Sequence, residues 1–352
     1  MTARPASSFA FAFAFASSFA FAFAFALAPT PAHADTPPSR WDRAKDPSIS
    51  ESYRLHVEVE RRLSAPKNPF EVGPAEARLL DTRTLLERYG AEKSKDPRLR
   101  FDLGLVYLKL DDHVRAARVL KAVLAEFPDH PAAEDGWLRL AFACGHTGDH
   151  ECERKAYAEV LRYATEEIAR ATPTLNLAET EMHLGNLREA IEGYREALRI
   201  AGRVPVGLGD LGQTAPLAVW GLAVALDRSG DRLGAEKEAR FALELSRSMG
   251  GPNLLRSPGV FFVPAYEVNW YEGLGASAKA KVSTSPTEIV NLWRAAEQSF
   301  TAWVRGAERE KSDRWLELGR VRLAAVKAER ERAEKKHGKS PIPTLDDDEK
   351  AL

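Results

Sequence analysis

Residues 175–200 read LNLAETEMHLGNLREAIEGYREALRI. Leu175, Ala178 and Met182 recur at helical spacing, and so do Leu187, Ala190, Ile191, Tyr194 and Ala197. Each set makes one apolar stripe on an α-helix. Gly185-Asn186 separates them, a helix stop followed by a helix start. The stretch therefore predicts two helices folded back on each other across a very short turn. Small residues at Ala178 and Ala190 let the two backbones approach closely. The larger residues are left over on faces that one hairpin cannot cover, so the unit calls for neighbours of its own kind.

Those neighbours are present. FDLGLVYLKLDDHVRAARVLKAVLAEFP precedes it, with Leu103, Gly104, Tyr107, Ala116 and Pro128. WLRLAFACGHTGDHECERKAYAEVL follows that segment, and VWGLAVALDRSGDRLGAEKEARFALEL lies downstream. Gly104, Ala141, Ala178 and Ala223 are equivalent small residues, spaced by 37, 37 and 45 positions. This pattern resembles the tetratricopeptide repeat family, whose unit of ~34 residues reads W-x2-L-G-x2-Y…A-x3-F…P. The resemblance implies an all-α fold, a right-handed superhelical solenoid of antiparallel helix pairs, with four repeats over residues 97–247. It further implies that the first helices line a concave groove where ligands bind. The positions that match are Phe101, Leu105, Leu108 and Lys109 in the first repeat, and Leu138, Phe142 and His146 in the second. The third contributes Leu175, Glu179, Met182 and His183, and the fourth Trp220, Val224, Asp227 and Arg228. This mostly apolar and aromatic set suits a protein or peptide with hydrophobic anchors. Lys109, Glu179, Asp227 and Arg228 would add specificity. The Lys/Asn constellation that clamps carboxylates in some family members is absent, Phe101 and Leu105 standing in its leading places.

Outside the four repeats the pattern weakens. Residues 49–96 read as N-terminal capping helices. Residues 248–335 read as a degenerate repeat and a capping helix with a polar outer face, in which Trp315, Leu318 and Gly319 keep W-x2-L-G but Arg322 replaces the tyrosine. VFFVPAYEVNWYEGLG (260–275) concentrates five aromatics and reads as packing onto the fourth repeat or, alternatively, as an exposed patch. Residues 35–48 and 336–352 are polar enough to predict a disordered linker and tail.

The N-terminus addresses the compartment. Arg4 precedes a duplicated Phe/Ala-rich apolar run, and Ala32 and Ala34 make an A-x-A-like site. That is the pattern of a secretory signal peptide over residues 1–34, cleaved after Ala34, and it predicts a periplasmic or secreted protein. The duplicated run approaches the ~20 residues that span a bilayer, so an uncleaved anchor is the alternative. Without residues 1–34 the chain carries 49 cations against 51 acids. Such a balance argues against nucleic acid or an anionic membrane surface as partner.

CGHTGDHEC (144–152) holds both cysteines. By alignment, GHTGDH is the inter-helix turn of the second repeat, with Asp149 as N-cap. An oxidising compartment favours a Cys144–Cys152 disulfide over free thiols. The spacing C-x-H-x3-H-x-C lacks the pairing of structural zinc sites, so no metal is expected. GLGDLG (207–212) matches a dinucleotide motif but lies between helices instead of leaving a strand, and reads as a loop insertion. No catalytic motif, cofactor site or nucleophile context stands out. The expectation is a non-enzymatic exported adaptor that binds an envelope protein or peptide in its groove. The alternatives are a structural component of an envelope assembly binding through its convex face or ends, and an accessory enzyme.

Overall fold

The computed structural model describes residues 50–64, 72–202, 211–248, 254–256, 260, 262–310 and 314–339. The leader and the linker before residue 49 lie outside them, as does the tail from residue 340. Among the described residues there are thirteen α-helices and no strand. They are α1 (Glu51–Ser64), α2 (Val72–Tyr89), α3 (Pro97–Lys109), α4 (His113–Glu126), α5 (Ala133–His146), α6 (His150–Tyr163) and α7 (Ala171–Leu184). There follow α8 (Leu187–Ala201), α9 (Leu211–Ser229), α10 (Arg232–Ser248), α11 (Val268–Ala280), α12 (Pro286–Arg309) and α13 (Leu316–His337). From α2 onward each helix packs chiefly on its neighbours in the chain, while α1 packs most on α3 and α7 also reaches α9. This is the contact pattern of a solenoid. The helix pairs α3/α4, α5/α6, α7/α8 and α9/α10 are the four repeats, α11/α12 is a fifth pair, and α13 closes the stack.

The turns repeat residue for residue. Seven positions after each small residue the backbone enters the left-handed region: Asp111 (φ 56°), Gly148 (72°), Gly185 (85°) and Gly230 (94°). One residue later an N–H reaches back to the helix just ended, Asp112 to Tyr107 O, Asp149 to Cys144 O, Asn186 to Glu181 O and Asp231 to Leu226 O, at 2.9–3.0 Å. These bonds satisfy carbonyls that a helix end otherwise leaves unpaired. Asp112, Asp149 and Asp231 also accept from backbone N–H groups of the following helix. The short turn thus ends one helix and starts the next.

The equivalent small residues are buried where the paired helices meet. A Cβ on Gly104 would stand 2.7 Å from Leu120 of α4, and one on Gly193 of α8 would stand 2.8 Å from the Ala178 Cβ. The fifth pair is packed by aromatics, Trp270 meeting Trp303 edge-on at 4.6 Å and Phe300 at 5.7 Å. The aromatic segment therefore contributes core packing, as one of the two readings expected. Residues 207–210 of GLGDLG lie outside the described residues, and Leu211 opens α9. Helix α13 runs to His337, two residues into the segment expected to be a disordered tail. No described helix is long and apolar enough to cross a membrane.

Candidate functional site

The repeat register sorts the candidate residues. Three positions before each small residue stand Phe101, Leu138, Leu175 and Trp220. Phe101, Leu175 and Trp220 are buried. Phe101 stacks on His130 and lies where a Cβ on Gly136 would be 2.6 Å from its ring. The Trp220 ring fills the space left by Gly275, 2.7 Å from a Cβ there. These residues hold successive pairs together instead of facing a ligand, which corrects the expectation for them. Large aromatics at that position are drawn into the seam with the next pair because burial there removes most of their surface from water. Leu138 alone of the four stays half-buried.

One position after the small residue come Leu105, Phe142 and Glu179, all half-buried, and then Val224, fully buried. Four positions after it, Met182 and Asp227 are buried. Five positions after it, Lys109 is exposed, His146 and His183 are half-buried, and Arg228 is buried. The inner face is accordingly open along the first three repeats and filled at the fourth. What fills it is the segment before α11. Arg228 pairs with Glu267 at 2.6 Å, and its guanidinium lies over the rings of Trp270 and Trp315. Asp227 accepts from Trp270 Nε1 at 3.0 Å and pairs with Arg322 at 2.8 Å. Glu267 also accepts from Trp303 Nε1 at 3.1 Å. Asp227 and Arg228 are thus spent inside the fold, contrary to the expectation that they would read a partner's charge. Arg322, which stands where the repeat pattern has a tyrosine, is buried as the partner of Asp227.

The second helices contribute a feature that sequence inspection passed over. His113 and His150 each follow an N-cap aspartate and lie 37 residues apart. His146 and His183, on the first helices, also lie 37 apart. The repeat brings them together as two pairs, His113 with His146 (ring centroids 4.2 Å) and His150 with His183 (4.7 Å, planes within 5°). The equal spacing of 33 residues within each pair was the available signal. Phe142 stacks against His146 at 4.1 Å.

Between the second and third repeats these side chains border a cleft of about 40 Å³. Its walls are Phe142, Gly145, His146, His150, Glu153, Tyr157, Glu179 and His183, with Val263 from the segment before α11. His150 Nδ1 and Glu153 Oε2 are 2.9 Å apart, and Asn176 Nδ2 donates to the Tyr157 hydroxyl at 3.1 Å. Burial, then the charges of Glu153 and Glu267, push the Glu179 carboxyl up to about 8. Burial, then His150 and Arg228, hold His183 well below the usual histidine range. His113 is lowered in the same way by burial and by His146.

Cys144 and Cys152 are joined by a disulfide, with a Cα–Cα separation of 5.8 Å, at the base of the turn that carries His146 and His150. Among the described residues, one group of three potential metal-donor atoms comes within 4.8 Å, on Cys144, Asp149 and Cys152. Its two sulfurs are consumed by the bond between them.

Repeated helix pairs, left-handed turns in register and an inner face open over three pairs define a tetratricopeptide-like α-solenoid. No protein-family model matches the sequence, and no curated protein does. Among solved structures the chain is similar to the apo form of RapI, at 12% identity and TM-score 0.48 over 82% of this chain and 100% of that one. It is also similar to a tetratricopeptide repeat protein from Parabacteroides merdae ATCC 43184, at 13% identity and TM-score 0.45 over 78% and 99%. A third is the MamA RS-1 double mutant, at 17% identity and TM-score 0.44 over 57% and 98%. At these identities the likeness is one of helical architecture alone.

Proposed function

We propose that this protein is an exported, non-enzymatic scaffold that holds an extended segment of another envelope protein along the inner face of its first three helix pairs. The observation that carries this reading is the half-buried strip of Leu105, Leu138, Phe142, His146, Glu179 and His183, with exposed Lys109 at its end. At the same register positions in the fourth pair the side chains are packed away. A strip of apolar, aromatic and titratable groups left uncovered on a concave face is a suitable bed for a peptide's anchors. The near-balanced charge of the chain speaks for a protein partner over nucleic acid.

Phe142→Glu tests the groove. Mild crosslinking in the envelope fraction, followed by purification, is expected to recover a stoichiometric protein partner with the wild type and to lose it with Phe142→Glu, while the circular dichroism spectrum is unchanged. A partner retained by Phe142→Glu transfers the binding role to the convex face or the ends. Export is tested separately by the mass of the mature chain, which is expected to begin at Asp35. A full-length chain held in the membrane fraction supports the anchored alternative.

A further inference from the structure

Three acids near the inner face already have partners. Glu153 faces His150 at 2.9 Å, Glu267 is held by Arg228 and Trp303, and Asp227 by Arg322 and Trp270. Glu179 differs: among the described residues no hydrogen bond or ion pair reaches its carboxylate, although it lines the cleft and is half-buried. A carboxyl partly withdrawn from water and without a partner favours keeping its proton or meeting a cation.

We infer that the cleft beside Glu179 is a receptor for an ammonium group, a lysine side chain on the segment that the groove holds. The inference rests on the groove reading and names what that segment must carry. Size supports lysine. At about 40 Å³ the cleft is small, which suits the compact ammonium head of a lysine better than a broad planar guanidinium. The Phe142 and Tyr157 rings in the wall give the alkyl stem apolar surface and the charge an aromatic face. A bare metal ion fits less well, because the cleft's histidine and carboxylate donor atoms do not gather within 4.8 Å as a group of three.

Other charged and titratable groups surround this carboxyl. His146 of α5 and His150, Glu153 and Tyr157 of α6 border the cleft, as does His183 one turn along α7. Arg228 of α9 and Glu267 act on it from the fourth-repeat side, with the hydroxyls of Tyr194 on α8 and Tyr271 on α11 nearby. The negative members raise the proton affinity of Glu179, so an arriving ammonium displaces a proton below about pH 8.

Val263 already lines the cleft, which allows the receptor to be tested in cis with the full chain. Val263→Lys places an ammonium at the mouth, and Val263→Met is a neutral chain of similar reach. The lysine variant is expected to unfold several degrees above the methionine variant at pH 8.5. The advantage is expected to shrink at pH 6 and to vanish when Glu179→Gln is added to both. It is also expected to release the crosslinked partner, because its own lysine fills the site. A lysine variant no more stable than the methionine one, or one that fails to fold while the methionine variant folds, overturns the inference. An advantage that survives Glu179→Gln does the same. If the partner is lost on Phe142→Glu yet kept by Val263→Lys, the ammonium receptor falls and the groove stands. If the partner survives both, the groove reading falls.

Discussion

At the scale of single residues, one substitution meets two different physical costs. Gly148 has a φ of 72°, and a Cβ there would touch nothing within 4 Å. Gly148→Ala is therefore expected to cost about 1 kcal/mol from backbone strain alone. Gly104 has ordinary helical geometry, but its Cβ would press on Leu120, which is fully buried. Gly104→Ala is expected to cost about 1 to 3 kcal/mol by overpacking. Relieving that contact with Leu120→Val should recover part of the loss, whereas no neighbouring substitution rescues Gly148→Ala. Denaturant titration of Gly148→Ala, Gly104→Ala and the Gly104→Ala/Leu120→Val double variant measures this. Glu179 gives a pH signature. Its carboxyl titrates at about 8 in the folded chain and near ~4.3 when unfolded. The folded state then holds a proton that the unfolded state has lost, so this group's contribution declines as pH rises from about 4.5 towards 8. Glu179→Gln removes that slope, and its unfolding temperature is expected to gain on the wild type's across this window, most above pH 8. Parallel curves for the two proteins would deny the cleft its protonated carboxyl.

At the scale of elements, two links act between helices. The Cys144–Cys152 disulfide ties the end of α5 to the start of α6 across a closed loop of nine residues. On chain-entropy grounds so short a loop is worth about 2.5 kcal/mol. Cys144→Ala with Cys152→Ala is expected to lower stability by that order. The loss should centre on the second pair, read as faster amide exchange in α5 and α6 than in α11 and α12. The other link is ionic. Asp227 on α9 holds Arg322 on α13, and Arg228 beside it holds Glu267 ahead of α11. Removing one partner leaves a buried charge uncompensated, so Asp227→Ala is expected to cost about 3 to 5 kcal/mol. Pairing it with Arg322→Met should restore a good part, a non-additivity that a double-mutant cycle resolves. This link explains why Arg322 occupies the position where the repeat pattern has a tyrosine. A cation there reaches an acid four helices back in the sequence order of the stack, which inspection of α13 alone could not reveal.

At the scale of the whole molecule, the distinction between seam and groove decides which substitutions affect binding. Trp220→Ala is expected to cost about 3 to 5 kcal/mol, because a fully packed indole leaves a cavity between α9 and α11. Its effect on a partner should follow from lost stability, in contrast to Phe142→Glu, whose side chain stands half out of the core. The helix pairs, their turns and the close approach at Gly104, Ala141, Ala178 and Ala223 were legible in the chain because they depend on contacts a few residues apart, where spacing and geometry correspond directly. The equivalence of Gly148-Asp149 with Gly185-Asn186 and Gly230-Asp231 placed CGHTGDHEC in a turn for the same local reason. What only the tertiary structure decided is which of the equivalent inner-face residues remain open. Leu138 and Trp220 hold the same register position, as do Lys109 and Arg228, yet one of each pair is buried. The difference comes from what packs over them: the next helix pair in one case and residues 262–271 in the other. Those partners are set by how pairs of unequal side-chain volume stack over long separations, and no local periodicity carries that information.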